Sequence, residues 1–236
     1  MSMSSIYKPF ILVLRSRKYV LEMLKDRGYD TEKYENFTSD EICSMIKSHN
    51  AGKYETKAEV GPLDLLLTKN RRDGEEGDKR ENIYIKYRLD DKFKKTENLE
   101  SQISEIYATS LTKNDTLIIM NIARVINKPN IKDKTDDEFV KSFYLTKGYF
   151  IQLYGLENFL INISHHKYVS KHRILTKKEL VDVAKKNNIT NLRNFPLIKR
   201  NDPQAKYIGL KPKQVCGIMK KNKTSGESEE YRICVN

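Results

Sequence analysis

Three side chains in the first half of the chain have the types and spacing of a hydrolytic metal site. Asp64 lies in the apolar run Leu63–Leu67, and Tyr84 and Lys86 sit two residues apart in the next, Ile83–Tyr87. Nucleases that cut phosphodiesters can place one carboxylate on a strand and a carboxylate-x-Lys on its neighbour. The two acids hold magnesium and the lysine assists the attacking water. Here the phenol of Tyr84 stands where the second carboxylate is needed, and a phenol does not replace a carboxylate on a hard divalent ion. The pattern is therefore expected to give a scaffold of that kind without activity, beside the plainer reading of two ordinary strands.

A second candidate is metal ligation by His165, His166 and His172 with Cys216 and Cys234, the side-chain types of a tetrahedral zinc site. Their spacing matches no recurring zinc pattern. The alternative is structural histidines bonded to backbone carbonyls near a strand end. The three cysteines form no CxxC pair, which fits free thiols in a reducing compartment. No nucleophile elbow, S-x-x-K motif, Walker loop or dinucleotide-binding glycine loop is present. The expectation is a chain with no catalytic residues, no metal, no cofactor and no small-molecule substrate.

Charge adds a direction. The 236 residues carry 44 basic and 32 acidic side chains, a net of +12. Up to Phe159 there are 27 basic and 26 acidic residues; from Leu160 onward there are 17 and 6, a net of +11. Such a step suggests a domain boundary, and a nucleic acid or an acidic protein surface near the second half. Lysine outnumbers arginine 32 to 12, so a solvated Lys-rich face is the competing reading. Tyr207 is interleaved among the cations, but no aromatic stacking platform accompanies them. The longest apolar run, Phe10–Leu14, falls far short of the ~20 residues of a membrane span. No signal-peptide pattern opens the chain, and no membrane partner is expected.

The elements that must carry these residues follow from periodicity and capping. Helices are expected at Ser5–Arg27, stopped by Gly28; from Thr38, where Thr38 and Glu41 form a capping box; and at Glu97–Ser110. Strands are expected at Leu63–Leu67, Ile83–Tyr87, Leu117–Ile122, Tyr149–Tyr154 and Phe159–Ile163, with loops at Asn70–Arg80 and Asn127–Asp137. In the second half, Thr176 and Glu179 form another capping box, with Leu175 and Leu180 as a hydrophobic staple, on a helix to Lys186. Asp202-Pro203 starts a short helix that ends at Gly209. Val215–Met219 and Tyr231–Val235 read as two strands around a turn at Ser225-Gly226. The last should be half-buried, with Tyr231, Ile233 and Val235 packed on Val181 and Ala184, and Arg232 and Cys234 on the other face.

From Asn162 the chain reads NISHHKYVSKHRILT, then FPLIKRNDPQAKYIGLKPKQV, then KTSGESEEYRICV. This resembles the C-terminal domain of the fifth subunit of multisubunit RNA polymerases, whose archaeal form lacks the N-terminal domain. The residues that carry the resemblance are His166, Val169, His172, Pro196, Asp202, Pro203, Gly209, Leu210, Thr224, Gly226, Tyr231 and Arg232. VLEMLKDRGY, Val20–Tyr29, is similar to the first helix of the eukaryotic form, and the two-domain layout resembles that form. The resemblance implies a two-domain α/β and α+β fold. Residues 1–157 would be a nuclease-like α/β jaw domain without active-site acids, and residues 158–236 a small α/β assembly domain. It implies a non-catalytic subunit that docks on the largest polymerase subunit and a small neighbour, with downstream DNA near the N-terminal domain. A stand-alone nucleic-acid-binding protein built on an inactive nuclease-like scaffold is the alternative. Ser170 replaces the family's proline, and no DNA-contacting residue is assigned. Divergence and the bias toward Lys, Asn and Ile suggest a giant-virus version, working in a cytoplasmic viral factory and virion; a cellular version would work in the nucleus.

Overall fold

The computed structural model describes residues 3–54, 57–69, 80–89, 97–122, 136–222 and 226–236. They fall into two compact units, one ending at Ile161 and one running from Asn162 to Asn236.

The first unit opens with a long helix α1 (Met3–Asp26). Gly28, at φ +86°, takes the left-handed turn that stops it. The Gly28 and Tyr29 amides then cap the Lys25 and Leu24 carbonyls. A single turn α2 (Glu32–Glu35) precedes α3 (Ser39–Ala51), whose Thr38–Glu41 capping box is formed reciprocally. A four-stranded sheet follows in the order β1 (Leu65–Lys69), β2 (Glu81–Arg88), β3 (Thr116–Asn121), β4 (Phe150–Gly155). β1 is antiparallel to β2, and β2, β3 and β4 are parallel. The parallel strands are joined by α4 (Glu97–Thr109) and α5 (Asp136–Lys147). Two right-handed crossovers taken in sheet order must lie on the same face. Leu99, Ile103 and Ile106 of α4 and Phe139, Val140 and Phe143 of α5 indeed share one core with Tyr84, Leu117, Ile119, Ile151 and Leu153. α1 is tied to the opposite face, where Arg27 donates to Gln152 at 2.9 Å. With both faces covered, β3 and β4 are buried along their whole length.

α5 corrects the sequence reading, which placed a loop up to Asp137 and no helix beyond it. Phe139, Val140 and Phe143 recur at helical spacing and are all buried. The strand expected at Phe159–Ile163 is also absent. Leu156–Phe159 and Ile163–His165 form 3-10 turns, because the Asn162 side chain accepts the Ser164 amide and bends the backbone. The loop readings at 70–79 and 127–135 lie outside the described residues.

The second unit is a sheet in the order β5 (Lys171–Ile174), β7 (Val215–Asn222), β8 (Gly226–Val235), β6 (Leu197–Lys199). β7 and β8 form the expected antiparallel hairpin, Val215 opposite Ile233 and Gly217 opposite Tyr231. β5 pairs antiparallel with β7, and β6 parallel with β8. α6 (Lys177–Lys186) begins at the Thr176–Glu179 capping box. α7 (Pro203–Ile208) is capped by Asp202 and ends at Gly209, φ +72°. The short edge strands β5 and β6 carried no sequence signal strong enough to be read.

The hairpin alternates between two cores. Val215, Tyr231 and Ile233 pack with Leu175, Leu180, Val183 and Phe195 on the α6 side. Cys216, Ile218 and Cys234 pack with Ile198, Ala205 and Leu210 on the α7 side. Along Tyr231–Val235, Ile233 and Cys234 are buried on opposite faces while Tyr231, Arg232 and Val235 are half-buried, so the strand is half-buried as expected but meets a core on each face. Val181, expected beneath it, is 50% exposed. Removing Tyr231–Asn236 takes residues from both cores and leaves β6 without its partner strand. At about 1.5–3 kcal/mol per buried large side chain, the loss reaches roughly 5 kcal/mol, comparable with the stability of a whole domain. Urea unfolding followed by hydrogen exchange should show the second unit exchanging like unfolded chain, whereas deleting Asn236 alone should change nothing.

Candidate functional site

The chain running into the edge strand β1 buries Asp64 against β2. Its side chain is fully buried, and that of Lys86 is 1% exposed. Because Leu65 lies opposite Ile85, Asp64 falls beside Lys86 and Tyr87 of β2. Its Oδ1 accepts the Tyr87 amide at 2.8 Å. Its Oδ2 accepts the Gly61 amide at 2.8 Å and the Tyr84 hydroxyl at 3.0 Å. Lys86 Nζ stands 3.6 Å from the same oxygen and donates to Glu59 O at 3.2 Å and to the Tyr84 hydroxyl at 3.4 Å. The three residues singled out by type and spacing therefore meet.

Their geometry is that of a closed lock. Both carboxylate oxygens accept protein donors, one at Oδ1 and two at Oδ2, and an ammonium stands beside Oδ2. Burial, then the neighbouring Asp64 charge, push the Tyr84 phenol far above its ordinary value, so it stays a proton donor and offers no anionic ligand. No group of three or more His, Cys, Asp or Glu suited to a metal ion occurs among the described residues.

His49 was missed by the sequence reading. It follows Ile42 and Ile46 at helical spacing on the buried face of α3, and its Nε2 lies 3.1 Å from Tyr87 O. That spacing was the available signal. Burial lowers its pKa, against a smaller opposing pull from Asp64.

The second candidate, the histidines and cysteines of the second unit, does not assemble. Cys216 and Cys234 lie inside the α7-side core, and burial pushes their thiols up to about 11 and about 12, so they remain protonated. His165 and His166 are exposed. His172 Nδ1 lies 2.8 Å from Ser170 O, a structural bond to a backbone carbonyl at a strand start.

The remaining motif residues of the second unit occupy caps, turns and strand positions. Asp202 accepts the Gln204 and Ala205 amides at 2.9 and 3.2 Å, with Pro203 in the first helical turn. Leu210, just past Gly209, is 1% exposed. Pro196 O accepts the Ile233 amide at 2.8 Å. Gly226 starts β8 at φ +73°. The Tyr231 hydroxyl donates to Glu229 at 2.8 Å, and Arg232 Nε donates to Glu230 at 2.8 Å. Val169 is half-buried and His166 exposed; Thr224 lies outside the described residues. Arg173 bridges Glu229 and the capping-box Glu179. It does so across Gly217, where a Cβ would stand 2.4 Å from Glu229 Oε1.

The protein is thus a mixed α/β chain of two sheets, with a buried Asp64–Lys86 pair tied by internal bonds and a cationic second unit. Comparison with known proteins gives its family. Residues 161–234 match the family model described as RNA polymerase Rpb5, C-terminal domain. The chain is 27% identical over 226 residues to the DNA-directed RNA polymerases I, II, and III subunit rpabc1 of Dictyostelium discoideum, covering 94% of this chain and 97% of that one. It is 26% identical over 229 residues to the DNA-directed RNA polymerases IV and V subunit 5B of Arabidopsis thaliana, covering 94% and 88%. Over 73 residues it is 40% identical to the DNA-directed RNA polymerase subunit Rpo5 of Archaeoglobus fulgidus, 31% of this chain and 95% of the archaeal one. The chain belongs to this family of fifth subunits of multisubunit RNA polymerases. It is a polymerase subunit and not an enzyme by itself.

Two outcomes test the lock. Lys86→Met leaves Asp64 as an uncompensated buried charge, and urea unfolding should show a loss of about 3–5 kcal/mol. His49 is neutral in the folded chain with a lowered pKa, while the unfolded chain takes up a proton below about pH 6.5. Its contribution is therefore complete above pH 6.5 and lost as pH falls through the lower folded value. Unfolding curves in that window should lose this pH dependence in His49→Gln.

Proposed function

We propose that residues 158–236 form an assembly domain that docks on the largest polymerase subunit and a small neighbouring subunit. Residues 1–157 form a nuclease-like domain in the jaw around downstream DNA. The archaeal relative carries the first part of this reading. Its chain corresponds to only 73 residues here, and the family-model match falls in the C-terminal stretch, 161–234, so the small unit is the part that defines the family. The second part is supported by the closed Asp64–Tyr84–Lys86 cluster, which keeps the acid and lysine of a nuclease pattern as a structural tie. The motif residues Asp202, Pro203, Gly209, Leu210 and Tyr231 act by shaping the docking unit. The subunit works where its polymerase works: the viral factory and virion for a giant-virus enzyme, the nucleus for a cellular one. Among the described residues no helix is long and apolar enough to cross a membrane.

The excess of cations in the second unit is the observation that favours a stand-alone nucleic-acid binder, and co-purification separates the two. Affinity capture of the full chain from its native source should bring down the large catalytic polymerase subunits in stoichiometric amount, stable to nuclease treatment. Recovery of the chain without them would defeat the assembly reading. Purified alone, the chain should not cleave DNA or RNA in magnesium. Cleavage that persists through repurification and disappears in Asp64→Ala would overturn the inactive-scaffold reading.

A further inference from the structure

Each sheet has edges, and an unpaired edge is a template for another strand. In the first unit the outer edge of β1 is occupied by a side chain: the Tyr34 hydroxyl lies 3.2 Å from Leu66 O and 3.4 Å from Leu66 N. In the second unit β5 carries the exposed cation Lys171, and Arg173 reaches from it across Gly217 to Glu229 and Glu179. β6 is different. Its inner edge is bound to β8 through Pro196 O, which accepts the Ile233 amide at 2.8 Å, and through the Arg200 amide, which donates to Val235 O at 3.0 Å. Strand alternation therefore turns the Leu197 amide and carbonyl, and the Lys199 amide, outward. No strand pairs with that edge among the described residues.

The side chains at this edge are apolar and cationic. Leu197 lies opposite Ile233, hence on the α6 side of the sheet, yet it is 58% exposed. Leu192, in the preceding turn, is 42% exposed. Around them, Val183–Asn201 holds five basic residues and no acidic one, and Lys186, Arg193 and Lys199 are exposed.

We propose that β6 is a strand-addition site, which takes an extended, acidic segment of a partner polymerase subunit. The segment's backbone completes the sheet beside Leu197 and Lys199, an apolar side chain covers Leu197 and Leu192, and its carboxylates meet Arg193 and Lys199. Backbone pairing supplies binding energy and the alternating side chains supply selectivity. This rests on the assembly reading above and gives that docking a location.

Amide hydrogen exchange on the full chain, free and within polymerase purified from the native source, tests it without any substitution. The Leu197 and Lys199 amides should exchange at least tenfold more slowly in the assembly. Leu197→Glu and Lys199→Glu should each weaken co-assembly by at least tenfold at unchanged circular dichroism. Val181→Glu, at a comparably exposed apolar position on α6, should assemble as the wild type does. Amides that exchange equally fast in both states overturn the proposal and leave the assembly reading standing. A chain absent from the polymerase defeats both. Protection produced by duplex DNA alone would assign the edge to nucleic acid instead and overturn the proposal.

Discussion

A carboxylate taken out of water must find donors for its oxygens, and the first unit is arranged around that requirement at Asp64. β1 runs antiparallel to β2 in the register that sets Asp64 against the Tyr87 amide. The turn before it supplies the Gly61 amide and the Glu59 carbonyl. β2 contributes Tyr84 and Lys86 from one face. Desolvation makes each of these groups costly alone and stable only together. The same constraint bears on chemistry, because a carboxylate whose two oxygens already accept internal donors and face an ammonium is held as a structural group.

The second unit has no such charge at its centre and depends on the pairing of β8. That strand touches β7 on one side and β6 on the other and lends side chains to both cores. Caps and turns then define where the chain enters and leaves: the Thr176–Glu179 box, Asp202 with Pro203, and Gly209. Asp202, Pro203 and Gly209 are among the residues that carry the family resemblance. Their positions explain it physically, since each holds a backbone conformation that few other residues can supply. Outside these caps and cores, the surface around β6 exposes Leu192, Leu197, Arg193 and Lys199.

Much of the architecture was legible in the sequence. Both capping boxes, the Asp-Pro helix start, the glycine stops at Gly28 and Gly209, and the β7–β8 hairpin are local signals, carried by residues close together in the chain. The edge strands β5 and β6 were not legible, because three or four residues with exposed charges carry no periodicity. α5 was overlooked although Phe139, Val140 and Phe143 mark its buried face. Phe159–Ile163 is apolar enough for a strand, but the Asn162 side chain competes for the backbone there.

For the candidate site, residue types alone determined that Asp64 and Lys86 could belong together and that Tyr84 deprived them of a second acid. Type and spacing are chemical facts that need no coordinates. Tertiary structure decided the rest: that the three meet, that Gly61, Glu59 and His49 lie around them, and that Val181 is exposed while Ile233 and Cys234 enter cores on opposite faces of β8. Those outcomes depend on register and on which faces are covered. A strand's period of two records that its sides alternate, and only the packing of the α6-side and α7-side cores determines that Ile233 is buried on one side and Cys234 on the other.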